Sequence, residues 1–79
     1  MEIVRGLVVQ SSAGHDKGDF FVVLKEENDY VFLCDGKRRM IEKTKKKKLK
    51  HIFATRTVLN EEDLQTNRKI RKALREFRK

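Results

Sequence analysis

The first two-thirds of this chain contain apolar runs of strand length only, each cut short by glycine, aspartate or asparagine. Ile3 to Gln10 is rich in Val, Ile and Leu, and Ser11 to Gly18 is a polar loop with Gly14 and Gly18 inside it. Phe20 to Lys25 is a second run, mostly aromatic and β-branched, and Glu26 to Asp29 turns the chain into Tyr30 to Cys34. Runs this short between turn formers read as strands rather than helices. Asp35-Gly36 is then a two-residue hairpin signal, because a type I′ turn needs positive φ at both central positions. It predicts Arg38 to Glu42 as the returning strand, with Met40 among basic neighbours. Leu49 to Thr55 is expected as a fifth strand, in which Leu49, His51 and Phe53 alternate with Lys50, Ile52 and Ala54. Five short strands with tight turns predict a mainly β fold, a small barrel over residues 1–56.

Beyond residue 56 the hydrophobic period changes. Asn60 is the expected N-cap, followed by Glu61, Glu62 and Asp63 where the helix dipole favours negative charge. Leu59 and Leu64 stand at the spacing of a hydrophobic staple. Ile70, Ala73, Leu74 and Phe77 follow the i, i+3, i+4, i+7 rule and form one apolar stripe. The remaining surface carries Arg68, Lys69, Arg71, Lys72, Arg75, Arg78 and Lys79. The pattern predicts one basic C-terminal α-helix from Asn60 to Arg78, its stripe docked on the barrel, within a segment of residues 57–79.

Charge is distributed very unevenly. Residues 1–36 carry three basic against seven acidic side chains, a net −4. Lys37 to His51 carries nine basic residues and one acid, Glu42, a net +8. The last 20 residues add seven basic against four acidic, and the whole chain is +8. Crowding like charge costs self-repulsion, which a polyanion relieves while shedding its own counterions. Nucleic acid is therefore the partner that the charge points to.

Size excludes other roles. A chain of 79 residues forms one small domain, whose core supplies only about 3 to 5 kcal/mol. It leaves no room for a small-molecule substrate cavity walled by a second domain. The single cysteine, Cys34, has no partner for an internal disulfide or a zinc site and suits a reducing compartment. It reads as a small buried apolar residue beside the hairpin turn. No apolar run approaches the about 20 residues of a membrane span, and Met1 to Arg5 lacks a signal-peptide pattern. A cytoplasmic protein with no membrane partner is expected. His15 and His51 have no companion ligand at a metal-like spacing, and no nucleophile, base and orienting group converge. No metal, no cofactor and no enzymatic activity are expected.

The segment Arg5-Gly6-Leu7-Val8-Val9, followed by Ser12-Ala13-Gly14-His15-Asp16-Lys17-Gly18-Asp19-Phe20-Phe21-Val22-Val23, resembles the KOW motif: strand, glycine-containing loop, strand. Tyr30-Val31-Phe32-Leu33-Cys34-Asp35-Gly36 is similar to the strand and turn that follow in the fourteen-e family of large-subunit ribosomal proteins. The likeness covers residues 4 to 53 and is nearest to small stand-alone bacterial KOW proteins. It implies an SH3-like barrel that binds ribosomal or other structured RNA, associated with the ribosome, with ribosomal proteins as further partners. Gly18 matches the glycine that closes the family's loop and Lys17 its preceding basic residue, whereas Asp19 stands where a lysine is common.

The candidate RNA contacts are Lys37, Arg38, Arg39, Lys43, Lys45, Lys46, Lys47, Lys48 and Lys50. Behind them come Lys17 and the helix residues Arg68, Arg71, Lys72 and Arg75. A lysine run is most often only a solvated loop. Flanked by strands and joined to a basic helix, this one reads as a binding surface. Arginine makes paired phosphate bonds and stacks on bases, so Arg38 and Arg39 are expected to carry any selectivity. His15 and Lys17 would contact RNA at the rim of the glycine loop. Of the aromatics Phe20, Phe21, Tyr30, Phe32 and Phe53, most are expected inside so small a barrel. Phe20 and Phe21 must face opposite ways on the pleat, and Tyr30 is a candidate exposed ring. The alternative is a protein–protein module using the helix stripe and a barrel edge, with Lys43 to Lys48 as a solubilising loop.

Overall fold

The structure, a computed structural model, describes residues 3–78. Its strands are β1 (Leu7–Ser11), β2 (Phe20–Glu27), β3 (Tyr30–Cys34), β4 (Lys45–Lys48) and β5 (Ile52–Val58). Its one α-helix is α1 (Asn67–Leu74). The strands form a single sheet in the order β4-β3-β2-β1-β5, with every pairing antiparallel. Consecutive strands β4 and β5 therefore lie at opposite edges, and a 3₁₀ turn over Leu49–His51 carries the chain between them. The Leu49 N–H donates to the Asp29 carbonyl (2.7 Å) and the Ser12 N–H to that of His51 (2.9 Å), tying the turn to both sides. The edges are drawn toward each other and the sheet coils into the small barrel-like β fold expected.

Both faces of the central strands are covered, which explains their unbroken valines. Leu7, Val9, Phe21, Val23, Val31 and Leu33 point inward with Leu49, Ile52 and Ala54 against them. Val8, Val22 and Cys34 point outward and meet Leu64, Ile70 and Leu74 from the C-terminal segment. A strand buried on both faces reads as a continuous apolar run instead of an alternating one. Each fully buried valine contributes about 1.5 to 3 kcal/mol, and Val8, Val9, Val22 and Val23 are all at 0% exposure. The C-terminal segment thus closes the second of the protein's two core clusters, with Leu64, Ile70 and Leu74 packed on Val8, Val22 and Cys34. Cys34 lies within it, and burial pushes its thiol up to about 12.

Three expectations about the elements need correction. Arg38 to Glu42 is not a strand and Asp35-Gly36 is not a type I′ turn. The Asp35 carboxylate accepts the backbone N–H groups of Lys37, Arg38 and Arg39, each at 2.9 Å, and winds the chain into a compact turn. Gly36 has φ 76° while Asp35 keeps negative φ. A Cβ on Gly36 would collide with the Asn67 carbonyl, so the absence of a side chain lets the turn seat against α1. An isolated bridge, Met40 to Lys43, then leads into β4. The strand is the lysine run itself.

The fifth strand begins at Ile52, since Leu49–His51 is the 3₁₀ turn, and it runs to Val58. Ile52 and Ala54 take the inward positions, which leaves Phe53 outside at 63% exposure. The C-terminal segment is not one helix. Asn60 does cap its start, accepting the Asp63 N–H at 2.9 Å, but the turn it opens is 3₁₀ over Glu61–Leu64. Thr66 is extended (φ −137°, ψ 157°) and accepts the Lys69 N–H, so a second N-cap begins α1 afresh. A 3₁₀ turn, Arg75–Phe77, closes the segment. Met1, Glu2 and Lys79, the last counted above among the helix's basic residues, lie outside the described residues.

Candidate nucleic-acid interface

The pleat gives four consecutive lysines two different environments. In β4, Lys45 and Lys47 share the inward side with Leu33 and Val31, their register partners, whereas Lys46 and Lys48 share the outward side with Phe32 and Tyr30. Lys47 is buried. Its ammonium donates to Asp16 Oδ1 and to the Ala13 carbonyl, both at 2.8 Å. Ser11 Oγ stands 2.7 Å from the same Oδ1, and Lys45 Nζ is 3.1 Å from Oδ2. Burial opposes ionisation of Asp16, but the bonds from Lys47, Ser11 and Lys45 outweigh it and hold the carboxyl well below the usual carboxylate range. This cluster fastens the glycine loop between β1 and β2 to the lysine strand. Lys47, expected among the RNA contacts, is instead spent inside the fold, and Lys45 is half-buried with it.

Outside, the same strand builds an array of cations and rings. Lys25 pairs with Phe32 and Phe32 with Lys46 across three strands, and Tyr30 pairs with Lys48 in the next row. The Lys46 ammonium lies 4.3 Å from the centre of the Tyr30 ring, and that of Lys25 lies 5.7 Å from the Phe32 ring. Lys50, exposed on the 3₁₀ turn, lines a cleft with Tyr30, Lys48 and Asp29. Rings with sequence-indifferent π faces beside mobile cations are what a single strand of nucleic acid stacks and pairs on. Of the rings expected mainly inside, Phe21 is buried, Phe20, Tyr30 and Phe32 are half-buried, and Phe53 is outside. The signal for Tyr30 and Phe32 lay in their i, i+2 spacing. With Val31 and Leu33 committed to the interior, both rings had to face outward.

The other candidates fall into separate groups. Lys37 and Arg38 are exposed at the Asp35 turn, near Phe77 and Arg78. Arg38 lies 3.6 Å from Asp19. Arg39, half-buried, shares a small cleft with His15 and Lys45. Lys17 is exposed on the glycine loop and Lys43 just before β4. Arg68, Arg71, Lys72 and Arg75 line an exposed strip on the side of α1 away from the sheet. The structure thus brings Lys46, Lys48 and Lys50 together around Tyr30, while the helix cations form a patch of their own.

Among the described residues no three His, Cys, Asp or Glu side chains cluster as metal ligands, and no helix is long and apolar enough to cross a membrane. Searched against protein-family models and curated proteins, the chain matches none of them.

Proposed function

We propose that this chain is a non-catalytic RNA-binding module of KOW type, working in the cytoplasm on ribosomal or other structured RNA. The observation that carries the proposal is the outward array of Lys25, Phe32, Lys46, Tyr30 and Lys48 on a fixed sheet, with Lys50 beside it. Cations on a rigid strand neutralise phosphates at set spacing, and the rings accept bases that leave their own stack. Lys46 would swing from Tyr30 to a phosphate, giving up an exposed cation–π contact of about 0.5 to 1 kcal/mol. The strip on α1 would add sequence-independent attraction.

The test is binding of a ribosomal RNA hairpin by the purified chain across a salt series, together with co-sedimentation with ribosomal subunits. With five phosphate contacts, log affinity should fall against log salt with a slope of roughly −3.5 to −4.5. Lys46→Glu with Lys48→Glu should abolish association at physiological salt. A flat salt response, or full binding by that double variant, would overturn the reading. The rival protein–protein module has lost part of its surface, since Ile70 and Leu74 of the helix stripe are buried on the sheet.

A further inference from the structure

A second row of rings stands on the same outer sheet face, beyond the array on β3 and β4. Gln10 of β1 is the register partner of Phe20 on one side and Phe53 on the other. Directly opposed residues project from the same face, and two strand spacings separate Phe53 from Phe20 by about 10 Å. Phe77 meets Phe20 with ring centres 5.3 Å apart and planes tilted by 39°, so it adds a further ring at the β2 end of the row. The core does not account for Phe53, which is 63% exposed.

Polar groups line a cleft at the Gln10, Phe20 and Phe77 end of this row, with Phe53 exposed on the sheet face beyond it. The Gln10 amide donates to the Gly18 carbonyl at 3.0 Å, which fixes its orientation and leaves its amide oxygen as an acceptor. The Asp19 carboxylate adds acceptors to the lining of the same cleft, and exposed Lys37 and Arg38 line it as well. Lys37 makes no ion pair among the described residues. Aromatic faces, acceptors beside them and a cation without an ion-pair partner among the described residues are the chemistry that recognises one nucleotide: base, base edge and phosphate. A paired base hides both its faces in the helix stack, so only an unpaired nucleotide fits such a row.

We infer that the row Phe53–Gln10–Phe20, with Phe77 and Lys37, is a binding site for an unpaired nucleotide of the bound RNA, distinct from the array around Tyr30. The inference rests on the RNA-binding reading above and gives it a specificity: a duplex flanked by a single-stranded segment, preferred over duplex alone. Base stacking on protein rings strengthens single-strand binding from about fivefold to over a hundredfold per base.

The experiment compares an RNA hairpin with the same hairpin carrying a short unpaired tail, each titrated against the wild-type chain. The tailed RNA should bind about tenfold tighter. Phe53→Ala, a change at an exposed ring, should erase that gain while the hairpin alone binds as before. Lys37→Glu should reduce the gain as well. Because the chain has no tryptophan, Phe53→Trp provides a single reporter whose emission should be quenched by the tailed RNA and not by the bare hairpin. Equal affinity for the two RNAs, with steep salt dependence retained and no quenching, would overturn this site and leave the RNA-binding reading standing. Failure of both RNAs to bind in dilute buffer would sink both together.

Discussion

Lys45 and Lys47 differ from Lys46 and Lys48 only in which side of one strand they occupy, yet the two pairs do opposite things. The inward pair is bound to Asp16, at 3.1 and 2.8 Å, and holds a loop in place. The outward pair stands beside Tyr30 and Phe32, where its charge is available to a partner. Net charge is therefore a poor guide to binding capacity within this segment. A period of two, imposed by the pleat, decides which cations are structural and which are free.

The comparison breaks most sharply at Lys47. Lys47→Met keeps the apolar stem but leaves the Asp16 carboxylate buried without its main partner. Loss of one member of a buried pair costs about 3 to 5 kcal/mol, comparable to all that a core of this size supplies. The variant should be largely unfolded by circular dichroism at 25 °C. Adding Asp16→Asn removes the stranded charge, so the double variant should recover a good part of the loss in a urea titration. If Lys47→Met melts like the wild type, the inward lysines are not structural.

Acid should attack the same clamp. The folded state holds Asp16 below its unfolded value of about 3.9. A depressed carboxylate contributes stability that is present above the unfolded value and lost as pH falls toward the folded one. Stability measured by urea titration should thus decline steeply below about pH 4. Asp16→Asn, already weaker at neutral pH, should show a shallower decline across that interval. Parallel curves for the two proteins would mean that other carboxylates govern acid unfolding.

Much of this architecture was legible because burial leaves a pattern. The valines of β1 and β2, the Asn60 cap and the docked stripe of Ile70 and Leu74 followed from periodicity and capping chemistry. The exchange of roles around Asp35 did not, because it depends on one carboxylate gathering three backbone N–H groups and on Gly36 fitting under Asn67. Lys45 to Lys48 gave no strand signal, since lysine has low strand propensity and pairing with β3 overrides it. The division of that run was out of reach for a related reason. Only the placement of Asp16, some 31 residues from Lys47, decides which ammonium is captured. Thr66 was hidden because Asn60 already offers a cap with acids behind it, and the stripe from Ile70 to Phe77 lies wholly beyond Thr66 and marks no second start.

On the outward side the expected effect falls on binding. Replacing Lys46 and Lys48 with Met removes two cations and keeps the stems. The slope of log affinity against log salt should become shallower by about 1.4 to 1.8 if both touch phosphate. Lys17→Met on the glycine loop is the natural comparator, with a change of at most about 0.9. A slope unmoved by the double change would place the RNA elsewhere, on the helix strip of Arg68, Arg71, Lys72 and Arg75.

The smallest effect is the stability of the single variant Lys46→Met. Among the described residues its ammonium lies over the Tyr30 ring with no ion-pair partner, an exposed contact worth about 0.5 to 1 kcal/mol, and the methionine still covers part of the ring. Relief of repulsion from Lys48, on the same side of the strand, offsets some of that loss. The urea midpoint should therefore shift by no more than the equivalent of about 1 kcal/mol, in either direction. Set beside Lys47→Met, one position along the same strand, this is the control that isolates side from sequence. A cost at Lys46 as large as that at Lys47 would mean that the outward lysines also hold the fold, and the separation of the two sides would fail.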